Sequence, residues 1–242
     1  MTQNIYDNPD FFAGYSQLER SQTGLTGMAE WPALRALLPD LKAKRVVDLG
    51  CGYGWFCRWA RDQGAQEILG IDISERMLAR ARAEPGEGGI AYKQSDLETL
   101  ILPDAAFDLA YSSLVFHYVE DLARLFMTVH RALVPGGKLV FSIEHPIYMA
   151  PRRPAWQVDA EGYKIWPLNK YLIEGPRSTD WLAPGVTKQH RLMGTTLTLL
   201  IHAGFTLTHV EEWRPSDRQI AERPEFTEEL ERPMFLLIAA NR

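Results

Sequence analysis

The pattern of apolar and polar residues changes between two periods over the middle of the chain. Short apolar or β-branched runs predict buried strands, and stretches with apolar residues three or four positions apart predict helices. The predicted strands cover residues 45–49, 67–72, 90–94, 107–111 and 138–143. Helices are predicted between them, and this alternation favours a parallel sheet with helices on both faces.

The C-terminal part of the chain predicts one more helix and two more strands. The helix covers residues 195–203 and ends at Gly204. The strands cover residues 205–213 and 234–240, and the short connection between them predicts an antiparallel final strand. The predicted fold class is therefore α/β, with a doubly wound, mostly parallel seven-stranded sheet.

Residues 146–191 interrupt this pattern, because they are rich in Pro and aromatic residues and have little periodicity. An unstructured loop of this length is uncommon in a compact domain, so we expect an insertion that packs as a cap over the sheet edge. The predicted organisation is an N-terminal helical segment at residues 1–43, a core at residues 44–145, the cap insertion, and a return to the core at residues 192–242.

A Gly-rich turn connects the first predicted strand to the helix that follows it, with the sequence Asp48-Leu49-Gly50-Cys51-Gly52-Tyr53-Gly54. Glycine lets the backbone turn sharply and approach a ligand without a Cβ atom in the way. The N–H groups at the start of the next helix add partial positive charge. A dinucleotide-binding turn would have its third Gly at position 55, where this chain has Trp55. The turn predicts a ligand site but disfavours a nicotinamide-dependent oxidoreductase.

Acidic residues stand at the carboxyl ends of three successive predicted strands. Asp48 ends the first strand, Asp72 ends the second about 20 residues beyond the glycines, and Asp96 follows the third. Open α/β sheets bind ligands at this edge. Asp72 is placed to accept hydrogen bonds from two ribose hydroxyls, and Asp96 is placed to reach an adenine amino group. The alternative for each acid alone is a loop residue that caps a helix.

Together these segments resemble the class I S-adenosylmethionine-dependent methyltransferases, in particular the type-11 group of small-molecule enzymes. The matching segments are residues 46–54, 70–74, 95–97, 107–121 and 133–142. The resemblance implies a Rossmann-like methyltransferase fold, S-adenosylmethionine as the cofactor, and in-line transfer of a methyl group to a small-molecule acceptor.

The resemblance also implies which residues bind the cofactor. The acid and glycines of the turn would hold its methionine portion, the second acid would bind its ribose, and an apolar residue beside that acid would flank its adenine. Met77 either closes the adenine pocket or fills the core. The expected cofactor-binding residues are Asp48, Gly50, Cys51, Gly52, Gly54, Asp72, Ile73, Met77, Ser95, Asp96, Leu97 and Ser113.

The methyl acceptor is expected at the carboxyl ends of the fourth and fifth strands, where the candidate catalytic residues are His117, Glu144 and His145. Imidazole titrates near neutral pH, which suits it to acid–base work on a protonated acceptor. The alternative for His117 is to cap the next helix, and the alternative for His145 is to hold a turn before Pro146. Arg20 either binds the carboxylate of the cofactor or is itself a solvated residue on a helix. The aromatic insertion favours an apolar or ring-containing acceptor, or else a small satellite core.

Composition and charge narrow the alternatives. The formal charge of −5 disfavours nucleic acid as a partner, and residues 112–115 lack the Asn-Pro-Pro-Tyr type of motif used on flipped bases. Cys51 and Cys57 have no second Cys or His pair at metal-ligand spacing, so no metal site is expected. We see no signal peptide or membrane-spanning stretch and expect a cytoplasmic protein. The alternatives kept open are a non-catalytic S-adenosylmethionine-binding protein and a nicotinamide-dependent oxidoreductase.

Overall fold

The computed structural model of the protein describes residues 3–84 and 88–242. Its helices are α1 (Pro9–Ser16), α2 (Glu19–Gln22), α3 (Trp31–Leu37), α4 (Trp55–Asp62), α5 (Glu75–Ala83), α6 (Leu122–Ala132), α7 (Pro146–Met149), α8 (Met193–His202) and α9 (Asp217–Glu222). Its strands are β1 (Arg45–Leu49), β2 (Glu67–Asp72), β3 (Ile90–Gln94), β4 (Phe107–Ser113), β5 (Leu133–Glu144), β6 (Gln157–Val158), β7 (Lys164–Ile165), β8 (Gly175–Thr179), β9 (Val186–His190), β10 (Thr206–Glu212) and β11 (Phe235–Asn241). None of the helices in these ranges is long and apolar enough to cross a membrane.

The central sheet has the order β10-β11-β5-β4-β1-β2-β3 within the described residues. β1 pairs in parallel with β2 and β4, while β3 and β5 extend the parallel part on either side. β11 is antiparallel to both β5 and β10. This confirms the predicted α/β class with a doubly wound, mostly parallel seven-stranded sheet. Because parallel strands end at the same edge, the segments that follow β1, β2, β3 and β4 meet there.

Side chains along the sheet alternate between two apolar clusters, one on each face. Val46 and Leu237 pack against α3, α4 and α5, whereas their neighbours Val47 and Ile238 pack against α6 and α8. All four side chains are essentially inaccessible to solvent. A strand that is buried on both faces has an almost continuous apolar run, which is why the sequence shows runs rather than alternation there.

β5 begins earlier than the sequence predicts. Residues 135–137, with the sequence Pro-Gly-Gly, predict a turn before the strand, but the strand continues through them from Leu133. Leu133 is fully buried and pairs with Phe107 on β4. The register shifts after Phe107, and Gly136 takes a φ of +78° that glycine adopts without strain.

The N-terminal segment and the insertion pack together over the carboxyl edge of the sheet. Ile5 and Phe11 form a small apolar cluster with Val186 of β9. The carboxylate of Asp7 accepts a hydrogen bond of 2.5 Å from the hydroxyl of Ser74, which fixes the N-terminal segment at the start of α5. We call these two parts, residues 3–22 and 146–191, the cover.

A buried arginine attaches the insertion to the chain just before β11. The guanidinium of Arg232 lies 4.3 Å from the ring centre of Trp166, 4.5 Å from that of Tyr148 and 5.0 Å from that of Trp156. It also forms an ion pair of 2.7 Å with Glu229, and both side chains are largely buried. A cation enclosed by aromatic rings and one carboxylate is stabilised only while all of these groups remain in place.

We predict that Arg232→Ala destabilises the insertion. It leaves the Glu229 carboxylate buried without its partner, a change that costs about 3 kcal/mol when a buried pair is broken. Chemical unfolding followed by tryptophan fluorescence measures the loss. Arg218→Ala is the matched control, because Arg218 pairs with Glu222 on the exposed surface of α9, and its unfolding midpoint should equal that of the wild type. Equal stability of the two variants would contradict the assigned anchoring role.

Candidate active site

The turn between β1 and α4 is shaped by glycines that no other residue would replace without strain. Gly50 has a φ of +83°, and a Cβ atom there would lie 2.2 Å from the side chain of Val115. Gly52 has a φ of +52°, but a Cβ atom there would meet nothing within 4 Å. Gly50 is therefore required by close packing, and Gly52 leaves open space beside the backbone.

That open space belongs to a cavity of about 250 Å³ between the glycine turn and the cover. From the ends of β1, β2 and β3 and the segments that follow them, the cavity is lined by Gly50, Gly52, Asp72, Ile73, Met77, Asp96 and Leu97. From the cover, the segment after β4 and the end of β5, it is lined by Tyr6, His117, Tyr118, Glu144, Tyr148 and Trp181, among others. A smaller cavity of about 70 Å³ lies on the other side of the turn. Tyr15, Arg20, Gly50, Gly52 and Ser113 border both cavities.

Asp72 lies at the end of β2 with its carboxylate held by the backbone. One oxygen accepts the N–H of Gly52 at 2.8 Å and the other accepts the N–H of Ser74 at 2.9 Å. Burial nevertheless raises the pKa of Asp72 to about 6. Because each carboxylate oxygen has a second lone pair, the group can still accept hydrogen bonds from a ligand in the cavity.

Asp48 at the end of β1 is buried more deeply, with 2% of its surface exposed. Burial raises the pKa of Asp48 to about 7, and the nearby charge of Asp72 acts in the same direction. Within the described part of the chain, the side-chain donor to its carboxylate is the thiol of Cys57, at 3.3 Å. Asp48 borders the smaller cavity, so a cationic group bound there would stabilise its ionised form.

Hydrogen-bond donors without partners border the same small cavity. The hydroxyl of Ser21 and the indole N–H of Trp55 are buried and have no hydrogen-bond partner among the described residues. The guanidinium of Arg20 lies 3.6 Å from the carboxylate of Glu30 and donates to the hydroxyl of Ser113 at 3.4 Å, and a guanidinium has five N–H donors in all. Donors and a cation, together with the acid Asp48, fit the carboxylate and ammonium of an amino acid.

Most of the remaining residues expected at the cofactor line one of the two cavities, and two of them, Gly54 and Ser95, line neither. Ile73, Met77, Asp96 and Leu97 line the larger cavity, Cys51 lines the smaller one, and Ser113 lines both. Gly54 borders neither, since it begins α4 in the left-handed conformation and packs against Tyr92. Ser95 borders neither, and its N–H donates to the carbonyl of Asp72 at 3.0 Å.

The candidate catalytic residues are also placed differently from one another. His117 and Glu144 line the larger cavity. His145 does not, because one ring nitrogen accepts the N–H of Ile147 at 3.1 Å and the other lies 3.0 Å from the carboxylate of Glu212. His145 is 1% exposed and caps α7, a structural position at the start of that helix.

Sequence reasoning missed Lys188 on β9. This lysine is 5% exposed and forms an ion pair with Glu144. Its ammonium also lies 4.8 Å from the ring centre of Trp181. The segment Val186–His190 has the burial pattern of a half-buried strand, with Lys188 on its inward face, but its polar sequence alone does not indicate which face turns inward. Among the described residues no group of three or more His, Cys, Asp and Glu is arranged to hold a metal ion.

Comparison with known proteins identifies the family. The model of a type-11 methyltransferase domain matches residues 47–141. An S-adenosylmethionine-dependent methyltransferase from Mesorhizobium loti, whose crystal structure is known, is 64% identical, with a TM-score of 0.88 over 90% of this chain and 100% of that one. The chain belongs to the S-adenosylmethionine-dependent methyltransferases.

Two further relatives of the methyltransferase were found by sequence. An uncharacterized protein of Haemophilus influenzae is 32% identical over 99% of this chain and 97% of its own length. The malonyl-[acyl-carrier protein] O-methyltransferase of Enterobacter lignolyticus is 37% identical over 52% of this chain and 49% of its own length. Family membership confirms the predicted enzyme class and its cofactor, S-adenosylmethionine. It decides against the nicotinamide-dependent alternative.

We predict that Asp48→Asn stabilises the cofactor-free methyltransferase. Because the pKa of Asp48 is raised in the folded protein, its ionisation lowers the free energy of unfolding. This loss is absent below the pKa of the unfolded state and grows until the pH passes about 7. A pKa that is higher by one in the folded protein lowers the free energy of unfolding by about 1.4 kcal/mol once the group is ionised. We therefore expect a gain of roughly 2–4 kcal/mol at about pH 8 and a Tm higher by several degrees.

Asp108→Asn is the control for this measurement. Asp108 is partly buried, which opposes ionisation, but hydrogen bonds from Arg45 lower its pKa below the usual range. Its ionised form therefore stabilises the fold, and Asp108→Asn should lower the Tm at the same pH. If the Tm shifts in the same direction for both variants, burial of the Asp48 charge does not lower the stability of the fold.

Proposed function

We propose that the enzyme methylates a small molecule bound at the aromatic end of the larger cavity. The observation that supports this most is the continuity of one covered cavity, which has Asp72 and the glycine turn at one end and Tyr118, Tyr148 and Trp181 at the other. A methyl donor at the first end and an acceptor at the second would meet inside the protein. The cover leaves little room for a folded macromolecule at the point of transfer.

In this proposal the methionine portion of the cofactor occupies the smaller cavity. Its ammonium lies toward Asp48, and its carboxylate is held by Arg20 with the free donors of Ser21 and Trp55. Gly50, Gly52 and Cys51 form the backbone beside it. This explains why an acid and unpaired donors remain buried around one small space.

The nucleoside of the cofactor occupies the near half of the larger cavity. Asp72 accepts hydrogen bonds from the ribose hydroxyls, and Ile73, Met77 and Leu97 contact the adenine, with Asp96 toward its amino group. Gly54 and Ser95 act on the site through the shape of the turn and the position of Asp72. Ser113, which borders both cavities, lies beside the point where the methyl group would be transferred.

S-Adenosylmethionine supplies an electrophilic methyl group bound to a sulfonium. The protein then has to align the acceptor with that methyl group and exclude water. His117 and Glu144 are the polar groups proposed to orient the acceptor, and the aromatic rings of the cover provide its apolar walls. His145 acts indirectly by holding the start of α7.

The acceptor of the malonyl-[acyl-carrier protein] O-methyltransferases is not assigned to this enzyme. The similarity covers about half of each chain, and it does not extend through the whole acceptor side. A nucleic acid acceptor is disfavoured by the formal charge of −5. We therefore propose an acceptor without a carrier protein or nucleic acid attached.

The direct test is transfer of a labelled methyl group from S-adenosylmethionine to components of a cell extract separated into small molecules, proteins and nucleic acids. We expect label in the small-molecule fraction. Label that appears only in protein, in acyl-carrier conjugates or in RNA would contradict the proposed acceptor class. No transfer to any fraction, despite saturable cofactor binding, would also contradict the proposed acceptor class.

We predict that Asp72→Asn weakens binding of S-adenosylmethionine about tenfold, because a charge-assisted hydrogen bond to the ribose is worth about 1.4 kcal/mol or more. Calorimetric titration measures the affinity. Asp108→Asn, at the other end of the strands, should bind as the wild type does. An unchanged affinity in a folded Asp72→Asn variant would remove Asp72 from the ribose site.

A further inference from the structure

The hydrogen bond between His117 and the backbone of β5 fixes which ring nitrogen carries a proton. The Nδ1 atom of His117 accepts the N–H of Glu144 at 3.3 Å. Burial and nearby cations, Lys188 first among them, hold the pKa of His117 well below its usual range. A neutral ring that accepts at Nδ1 has its proton on Nε2. The remaining nitrogen of His117 is therefore a donor and not a base.

Glu144 has the complementary character. Its Oε1 atom forms an ion pair with Lys188, a lysine that the insertion contributes through β9. Both side chains are largely buried, and the pair joins an ammonium to a carboxylate. An ionised carboxylate only accepts hydrogen bonds. Glu144 thus places an acceptor at the same end of the cavity as the His117 donor.

We propose, on the basis of the proposed methyltransferase function, that the methyl acceptor is the hydroxyl group of a ring-bearing molecule such as a phenol. A hydroxyl donates one hydrogen bond, to Glu144, and accepts another, from the Nε2–H of His117. A carboxylate has no proton to donate to Glu144, and an ammonium has no lone pair to accept from His117.

The number of lone pairs separates a hydroxyl from a neutral amine. An amine nitrogen has a single lone pair, so it cannot accept from His117 and attack the methyl group at once. A hydroxyl oxygen has two, and one remains free for attack. The rings of Tyr118, Tyr148 and Trp181 line this end of the cavity and suit an aromatic acceptor.

The transfer step balances with these groups. A bond forms between the acceptor oxygen and the methyl carbon while the bond from that carbon to sulfur breaks, and the sulfur keeps the electron pair. The hydroxyl proton moves to the carboxylate of Glu144, which later releases it to solvent. Glu144 is then the catalytic base, His117 a hydrogen-bond donor to the acceptor oxygen, and Lys188 a positioning residue that holds Glu144.

The first test is the tautomer of His117 in the whole protein. Nitrogen NMR of histidine-labelled protein, with the signal assigned by its loss in His117→Gln, should show a protonated Nε2 and an unprotonated Nδ1 near neutral pH. A proton on Nδ1, or a doubly protonated ring, would overturn the assignment of His117 as donor.

The second test compares the affinities of three matched probes for protein that is saturated with S-adenosylhomocysteine. Calorimetry with 2-naphthol, 2-naphthoate and 2-naphthylmethylamine should give the tightest binding for the naphthol, and Glu144→Gln should weaken that binding about tenfold, as for loss of one charge-assisted hydrogen bond. Preference for the naphthoate or the amine, equal affinities, or no binding of any probe would overturn the hydroxyl inference. Failure of S-adenosylhomocysteine itself to bind would instead contradict the proposed function.

Variants of Lys188 test its positioning role. Lys188→Met should lower the affinity for naphthol, because Glu144 loses the group that positions it, while leaving S-adenosylhomocysteine binding unchanged, and Lys188→Arg should restore part of that affinity. Lys164→Met is the matched control, because Lys164 forms an exposed pair with Glu228 elsewhere on the insertion. If Lys188→Met retains the full affinity for naphthol, or Lys164→Met loses it equally, Lys188 does not position Glu144.

Discussion

Two carboxylates buried at neighbouring strand ends are the constraint on which the site depends. Asp48 is 2% exposed and Asp72 is 9% exposed, and burial raises their pKa values to about 7 and about 6. Buried acids without a cationic partner destabilise a fold. Here they lie on either side of a turn whose glycines open toward two cavities. The arrangement costs stability in the free protein, and the proposed position of the cofactor would offset that cost by bringing a cation to Asp48 and hydroxyl groups to Asp72.

The two halves of the site come from different parts of the chain. The proposed cofactor half is formed by the ends of β1, β2 and β3. The proposed acceptor half is shared between the segment after β4, the end of β5 and the cover, and the ion pair between Glu144 and Lys188 joins the core to the insertion. In the proposed function, acceptor selectivity would therefore depend on segments that lie outside the strands of the cofactor half.

The sequence predicted the core well, because most of its strands contain apolar runs and the alternation of helices and strands indicated a mostly parallel sheet. It predicted that Asp72 and the glycine turn would lie at one edge, since parallel strands end together. It did not predict which way His145 turns, because that depends on Glu212 across two antiparallel strands. The sequence around Lys188 and Arg232 indicates solvated cations. Their burial depends on aromatic rings and acids that are close in space, most of them far away in sequence.

The most direct test of the proposed cofactor site is calorimetric titration of the protein with S-adenosylmethionine at about pH 6.5, between the two raised pKa values, in buffers of different ionisation enthalpy. A ligand that brings an ammonium to Asp48 and hydroxyl donors to Asp72 favours both ionised carboxylates. We expect saturable binding with release of protons, and a release that diminishes as the pH rises above the pKa values. Absence of saturable binding, or binding with proton uptake or no proton exchange, would contradict this assignment of the two carboxylates.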